Sequence, residues 1–296
     1  MIAALTPHLN EALWQDLERR LGTADLIGWL ERESERVAQL GRRESGHIDV
    51  SSAELLRDRR VGKLRAVPYM PALATIQARD GSYEIRYVPY QRREDTRFGI
   101  AHELAHTFWF SPTQPGEPLS PLQRALGDDP TIEWLCNRGG AAILLPRGDV
   151  MSFIGEGPRG LHRIPELAKR YVVPERLVAR RLFQEFSDVE VTIAGISLKG
   201  EASSRTGTVA WLVPFQRSGR RRKSATGRVV PADMIPQVPL GPTHELAVDG
   251  RWLLLEEGTA TAGKARPLNS YAAQSETRAW VCRTVDTVYL AIPKQG

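Results

Sequence analysis

The chain has 296 residues, which corresponds to about two domains at roughly 150 residues each. Hydrophobic residues make up 42% and charged residues 25%, a balance typical of globular proteins that excludes a disordered chain. No run of about 18 apolar residues is present, so we expect neither a membrane span nor a membrane partner. Two cysteines cannot form a disulfide scaffold, and no secretion signal is recognised. We therefore predict a cytoplasmic location.

The net charge of +5 results from 40 basic and 35 acidic residues. Of the basic residues 34 are Arg and 6 are Lys, a predominance that a GC-rich coding sequence produces by itself. The charge balance is therefore weak support for nucleic-acid binding, and DNA is a partner that we do not favour. The densest basic run, 217–224, contains no aromatic residue and is interpreted as a solvated hairpin tip rather than a phosphate-binding loop.

The first part of the chain combines helical and extended patterns. Apolar residues recur at helical spacing over 9–21 and 26–40, which predicts two helices. Two short alternating runs, 74–79 and 83–88, flank Asp80-Gly81, a pair typical of β-hairpin turns.

Two further helices are predicted over 97–109 and 132–145. The residues expected to start them are Asp95 or Thr96 for the first, and Asp129 followed by Pro130 for the second. Past residue 157 a helical pair is predicted at 162–170 and 174–186. From residue 189 the pattern changes to strands, predicted at 191–198, 208–215, 252–255, 280–282 and 287–292.

The sequence His102-Glu103-Leu104-Ala105-His106 is the most informative feature. Histidines at positions i and i+4 of a helix share a face, so both rings can reach one metal ion. Glu103 is turned by about 100° from His102, beside the metal, where it can act as a general base toward an activated water. Roughly 0.01 such patterns are expected by chance in a chain of this composition, so the motif is specific although it is short.

The third ligand is predicted to be Glu133, on the next helix. Asp128 and Asp129 are alternatives, but Asp129 is better placed as a helix cap. Cys136 lies on the apolar stripe of that helix and is expected to behave as a small hydrophobic residue. Two histidines and one carboxylate leave a coordination position open, as in catalytic rather than structural zinc sites. Zn²⁺ is the expected cofactor, and Mn²⁺ or iron would also suit this donor set.

Three segments together resemble the ImmA/IrrE metallopeptidase family, most closely the IrrE (PprI) radiation-response regulators. They are RFGIAHELAH at 97–106, IEWLCN at 132–137 and AAILLP at 141–146. The resemblance implies that His102, His106 and Glu133 are the metal ligands and that Glu103 is the catalytic general base; it implies no other cofactor-binding residues. The sequence departs from the family at Gly139-Gly140, where alanines or bulkier residues are expected.

The resemblance also implies an α+β fold in three parts. We predict a zincin-like metallopeptidase domain at 1–156, a helix-turn-helix-like segment at 157–188 and a GAF-like sensor domain at 189–296. The helical pair is interpreted as packing against the peptidase rather than reading DNA, because two helices without a third make a poor independent DNA-binding unit.

The function implied is that of a cytoplasmic metal-dependent endopeptidase. Its expected substrate is a helix-turn-helix (XRE-type) repressor, whose cleavage induces a stress or DNA-damage response and so radiation resistance. One alternative is a DNA-bound or ligand-sensing regulator with a structural metal site, although a structural site has no use for Glu103. Another is a regulated protease of a toxin–antitoxin or mobile-element system.

Overall fold

The computed structural model describes residues 10–109, 129–154, 157–182, 191–199, 206–213, 229–230, 244–249, 276–283 and 287–293. The chain divides into two compact units. The first unit consists of Met1–Val150 and Leu167–Pro174, and the second consists of Met151–Glu166 and Glu175–Gly296. The domain boundaries after residues 156 and 188 stay predictions. None of the helices in the described ranges is long and apolar enough to cross a membrane.

Both predicted N-terminal helices are present in the first unit. They are α1 (Glu11–Leu21) and α2 (Leu26–Gly41), and a short helix α3 (Ala53–Asp58) follows. The side chains of Asn10 and Asp25 cap α1 and α2 by accepting hydrogen bonds from backbone N–H groups of the first turn. Their buried residues, including Leu17, Leu30 and Val37, contribute to the core of the unit.

A three-stranded sheet follows, with β1 (Val61–Ala66), β2 (Ala74–Arg79) and β3 (Ser82–Tyr87) in the order β1-β3-β2. The predicted hairpin is confirmed, because β2 and β3 pair antiparallel across Asp80-Gly81. Both turn residues have positive φ, 50° and 74°, as a two-residue hairpin turn of this kind requires. Strand β1, which the sequence did not predict, pairs parallel with β3.

The metal-motif helix α4 spans Arg93–His106, and the next helix α5 spans Pro130–Leu144. The prediction that Asp95 or Thr96 caps α4 is wrong. The Thr96 hydroxyl donates to the carbonyl of Val88 instead. Asp95 lies in the first turn, where its negative charge interacts favourably with the positive end of the helix dipole. The predicted start of α5 is confirmed, since Asp129 accepts from the N–H of Thr131 at 2.7 Å.

Helices α4 and α5 pack very closely because small residues face each other. A Cβ atom on Gly139 would lie 2.9 Å from Cβ of Ala105, and one on Gly140 would lie 2.8 Å from the backbone nitrogen of His102. Larger residues at these positions would therefore force the helices apart. The departure from the family pattern at Gly139-Gly140 thus has a packing reason.

Arg97 connects the beginning of α4 to two other segments of the first unit. Its buried guanidinium donates to the carbonyls of Tyr171 and Val172, at 2.7 and 2.8 Å, and to the carbonyl of Ile48. Burial lowers the pKa of Arg97 to about 10, and the nearby charge of Arg93 adds to this effect. Val172 has a φ of 52°, a region that β-branched residues rarely adopt.

Four more helices are described beyond α5. Helix α6 is Arg147–Ile154, a 3₁₀ helix covers Gly157–His162, and the predicted helical pair appears as α7 (Arg163–Tyr171) and α8 (Glu175–Arg180). Whether this pair functions as a helix-turn-helix stays a prediction.

The second unit contains an antiparallel sheet in the order β6-β5-β4-β9-β8-β7. Its strands are β4 (Val191–Lys199), β5 (Thr206–Val213), β6 (Val229–Val230), β7 (His244–Asp249), β8 (Glu276–Arg283) and β9 (Thr287–Pro293). The buried hydroxyl of Tyr289 donates to Glu175 at 2.8 Å, which ties α8 to β9. Strand β7 was missed from the sequence, and the strand predicted at 252–255 and the basic run 217–224 lie outside the described residues. The chain is therefore of mixed α+β architecture, and the GAF-like assignment stays a prediction.

Candidate metal centre

Two helices bring the predicted ligands together. His102 and His106 lie one turn apart near the end of α4, and Glu133 lies in the first turn of α5. All three ligand atoms lie within 4.8 Å of one another. Both histidine side chains are largely buried, at 14% and 10% exposed, whereas that of Glu133 is 42% exposed. The site is thus anchored in the core and open on the Glu133 side.

The distances between the donor atoms fit a bound metal ion. Nε2 of His102 lies 3.2 Å from Nε2 of His106 and 3.3 Å from Oε2 of Glu133. Nε2 of His106 lies 3.5 Å from Oε1 of Glu133. A tetrahedral zinc ion with ligand distances of about 2.0–2.1 Å separates neighbouring donors by about 3.3 Å. The spacing of the donor atoms is therefore close to that around one such ion, although a different oxygen of Glu133 is nearest to each histidine.

The electrostatics of the site couple the histidines to the carboxylate. Burial favours the neutral ring of His102, but the hydrogen bond to Glu133 and the charges of Glu103 and Glu133 outweigh it and raise the pKa of His102. Hydrogen bonds from His102 and His106 hold the pKa of Glu133 far below its usual range. Glu133 is therefore ionised at neutral pH, as a metal ligand must be.

Glu103 lies beside this group, and its side chain is not one of the three converging ligands. The residue is only 8% exposed, and burial raises the pKa of its carboxyl, although the charges of His102 and His106 act in the opposite direction. The backbone of Ile76, on β2, contacts this carboxyl and acts in the opposite direction, because it favours the charged form. A buried carboxylate with a raised pKa, held in place next to a donor cluster, has the properties of a general base.

Of the alternative ligands considered from the sequence, Asp129 and Cys136 lie within the described residues. Among those residues, His102, His106 and Glu133 form the one group of side chains that could share a metal ion. Asp129 is engaged as the cap of α5, and its other carboxylate oxygen accepts from the side chain of Asn10 at 3.2 Å. Cys136 is completely buried, and burial raises the pKa of its thiol. Asp128 lies outside the described residues.

Two features of the site were not predicted from the sequence. The contact of Ile76 with Glu103 joins residues 27 positions apart and leaves no local signal. The close approach of Gly140 to His102 was visible only as an unexplained glycine pair. The side chain of Asn137 donates to the backbone carbonyl of Glu133 one turn earlier, a contact within α5 itself.

Comparison with known proteins gives structural neighbours and a family match. A Mycobacterium tuberculosis transcriptional regulator superimposes with a TM-score of 0.42 at 18% identity, covering 90% of this chain and 76% of that chain. No curated protein matches the sequence. Residues 64–183 match the family described as the IrrE N-terminal-like domain, of the Peptidase_M78 type, and this range contains His102, Glu103, His106 and Glu133. Residues 64–183 of the chain are therefore an IrrE N-terminal-like domain of the ImmA/IrrE family.

Proposed function

We propose that this protein is a metal-dependent endopeptidase in which His102, His106 and Glu133 hold Zn²⁺ or Mn²⁺ and Glu103 is the general base. The observation that carries the proposal is the position of Glu103, a buried carboxylate with a raised pKa beside three converging ligands. A regulator with a purely structural metal would gain nothing from a buried acidic group at this place. The peptidase hypothesis therefore explains Glu103, which the hypothesis of a structural metal does not.

The chain's own residues supply the proton transfers. A divalent cation in the site would act as a Lewis acid toward a peptide carbonyl and would make a nearby water more acidic. Glu103 takes a proton from that water as the oxygen forms a bond to the carbonyl carbon. It then passes the proton to the leaving nitrogen when the C–N bond breaks.

The outer edge of β2 is a candidate place for the substrate backbone. The N–H of Val88 donates to the carbonyl of Leu73, which puts residues 73, 75, 77 and 79 in the hydrogen-bonded positions of the β2–β3 ladder. The backbone groups of Ala74, Ile76 and Ala78 therefore point away from β3, and that of Ile76 reaches Glu103. An extended peptide that pairs with Ala74 and Ala78 would pass beside the general base.

The substrate that we propose is a helix-turn-helix (XRE-type) repressor, cleaved in the cytoplasm to induce a stress or DNA-damage response. This part of the proposal is supported by the similarity to IrrE regulators. A single metal site provides little selectivity among side chains, so substrate choice requires a further contact. The second unit, with its six-stranded antiparallel sheet, is proposed as a GAF-like domain that provides this contact or receives the signal.

The deciding experiment compares the reconstituted wild-type chain with the Glu103→Gln variant. Each is loaded with Zn²⁺ or Mn²⁺ and incubated with the soluble proteins of cells that lack this gene. New protein N-termini are then labelled and identified by mass spectrometry. We expect termini that appear only with the wild type, disappear with a chelator and concentrate in a helix-turn-helix protein. Equal sets of termini for the two proteins would refute the peptidase function.

A further inference from the structure

One of the candidate ligands, His106, is the last residue of α4. The chain continues beyond it in a tight turn, in which the N–H of Phe108 donates to the carbonyl of Ala105 at 3.1 Å and that of Trp109 to the carbonyl of His106 at 3.2 Å. The last carbonyls of a helix lack partners within the helix, and helix ends open more readily than helix interiors. His106 therefore needs contacts from outside α4 to keep a fixed position.

Arg59, directly after α3, makes such contacts with the residue that follows His106. Its Nε atom donates to the hydroxyl of Thr107 at 2.8 Å, and its Nη2 atom donates to the carbonyl of Thr107 at 2.6 Å. The guanidinium also lies over the ring of Phe108, 4.8 Å from the centroid. A cation that hydrogen-bonds the carbonyls at the end of a helix also interacts favourably with the helix dipole.

Helix α2 holds Arg59 in turn. The Nη1 atom of Arg59 donates to Oε1 of Glu33 at 2.9 Å, and the side chain of Arg59 is only 14% exposed. Arg36, one turn after Glu33, forms ion pairs with Glu33 at 2.8 Å and with Asp58 at 2.7 Å. A guanidinium is a rigid plane with five donors, so it can bind two partners in a fixed geometry. The end of α4 is thus connected to α2 through one rigid group.

This connection matters for a bound metal ion because all three ligands must be in place at once. Any freedom that His106 has in the metal-free protein is lost when the metal binds, and this loss weakens the binding. A ligand that is already held by surrounding contacts does not have this cost. The contacts of Arg59 with Thr107 act on the residue next to His106, and they do not touch the metal.

We propose that Arg59 is a positioning residue that keeps His106 in place for metal binding by fixing the end of α4 to α2. The inference rests on the metal site of the proposed function and adds a residue outside the ligand group on which that site depends. Loss of an outer contact typically weakens metal binding about 10- to 100-fold. Because Arg59 acts through the neighbouring Thr107, we expect the lower end of this range.

Three variants separate the contact with Thr107 from the ion pairs around Glu33. Arg59→Gln removes both. Arg59→Lys keeps a positive charge beside Glu33, but an ammonium group lacks the planar fork that binds Thr107 at two atoms. Arg36→Gln is the matched control, because it removes the ion pairs of Arg36 with Glu33 and Asp58 and leaves the bonds of Arg59 to Thr107 in place. Thermal unfolding of each metal-free protein establishes that it is folded, and Arg59→Lys carries the test if Arg59→Gln is not.

The first measurement is Zn²⁺ affinity, by competition with a chromophoric chelator, which requires no substrate. We expect Arg59→Gln to bind Zn²⁺ about tenfold more weakly than the wild type, and Arg59→Lys to be weakened as well. Arg36→Gln should lower the melting temperature and leave the affinity unchanged. A lower overall stability does not by itself change the affinity of a protein that remains folded, so this control separates positioning from a merely structural role.

The second measurement is hydrogen exchange of the metal-free proteins. The amide protons of Phe108 and Trp109 close the turn after His106, so their exchange reports how often this end of α4 opens. We expect these two amides to exchange about tenfold faster in Arg59→Gln, in proportion to the loss of Zn²⁺ affinity, and at the wild-type rate in Arg36→Gln.

The outcomes are distinguishable from those that bear on the proposed function. Unchanged affinity and unchanged exchange in folded Arg59 variants would overturn the positioning role and leave the metal site intact. Equal weakening of Zn²⁺ binding by Arg36→Gln and Arg59→Gln would assign the effect to the ion pairs rather than to the contact with Thr107, which also overturns it. Absence of Zn²⁺ binding in the wild type would overturn both proposals.

Discussion

Gly140 and His102 lie so close together that no side chain fits between them. A Cβ atom on Gly140 would be 2.8 Å from the backbone nitrogen of His102 and 2.9 Å from its Cα atom. These are backbone atoms of α4, so they cannot rotate away as the end of a side chain can. The distance between α4 and α5, and hence between the two histidines and Glu133, depends on this glycine.

We therefore expect Gly140→Ala to move α5 away from α4. The free energy of unfolding should fall by about 1–3 kcal/mol, as is usual for overpacked interiors. Zn²⁺ affinity should fall as well, because the ligands come from both helices. Chemical denaturation and chelator competition measure the two effects.

Gly148→Ala is the matched control for this change. A Cβ atom there would also lie 2.8 Å from another atom, but that atom is a carboxylate oxygen of Glu35, the movable end of a side chain. We expect little change in stability and none in metal affinity. Equal losses for the two variants would show that the α4–α5 contact does not control the site.

Removal of the Glu103 carboxylate should abolish cleavage but not metal binding. A general base contributes about 10²–10⁴-fold to the rate, and Glu103→Gln keeps the three ligands and the volume of the side chain. We expect full metal occupancy by elemental analysis and a loss of cleavage of this size. A variant that cleaves at the wild-type rate would exclude Glu103 as the base.

The same variant should change how the stability of the metal-free protein depends on pH. Burial raises the pKa of Glu103, so the folded chain keeps this proton at a pH where the unfolded chain has lost it. Since the folded state binds more protons in that window, its stability falls as the pH rises through it. The Glu103→Gln variant has no carboxyl group at this position, so its stability does not fall for this reason. Its melting temperature should equal that of the wild type at acidic pH and exceed it at neutral pH.

Replacement of Glu133 tests the third ligand directly. Glu133→Ala should lose the metal and the activity together, whereas Asp129→Ala should lose a helix cap, at a cost of about 1 kcal/mol, and keep the metal. A chelator should stop wild-type activity, and Zn²⁺ or Mn²⁺ should restore it. Full occupancy in Glu133→Ala, measured by elemental analysis, would require another ligand such as Asp128.

Shortened chains test the dependence of the first unit on residues 167–174. A fragment ending at residue 188 should fold and bind metal, because Tyr171 and Val172 still accept from Arg97. A fragment ending at residue 156 leaves this buried guanidinium without those two acceptors, and we expect it to be unfolded. Circular dichroism and metal content distinguish the cases. Equal folding of both fragments would show that the Arg97 contacts are dispensable.

The longer fragment also tests the role proposed for the second unit. Its cleavage of the repressor should be weak or insensitive to the stress signal, because the sheet that is proposed to dock or to sense is missing. Rates are compared for the full chain and the fragment, with and without the signal. Identical rates and identical signal dependence would exclude both roles for the second unit.

The sequence predicted those parts of the molecule that depend on neighbouring residues. The Asp80-Gly81 turn, the cap at Asp129 and the shared face of His102 and His106 are all local, and the structure contains each of them. The start of α4 was predicted four residues too late because Thr96 has a tertiary partner, the Val88 carbonyl, that competes with capping.

The remaining features of the site depend on contacts between distant segments. Ile76 contacts Glu103 because the hairpin lies against α4, and nothing around residue 76 in the sequence indicates this. Gly140 acts through its proximity to His102, 38 positions earlier in the chain. Such contacts become visible only when the packing of α5 on α4 is known.

The backbone at Val172 has a consequence for engineering this protein. A β-branched residue with a φ of 52° costs about 1–2 kcal/mol relative to one that adopts the left-handed region readily. Asparagine is such a residue, and the carbonyl that accepts from Arg97 belongs to the backbone, so it is kept whatever the side chain. Val172→Asn is therefore a substitution by which the protein could be made more heat-resistant without altering any group at the metal centre.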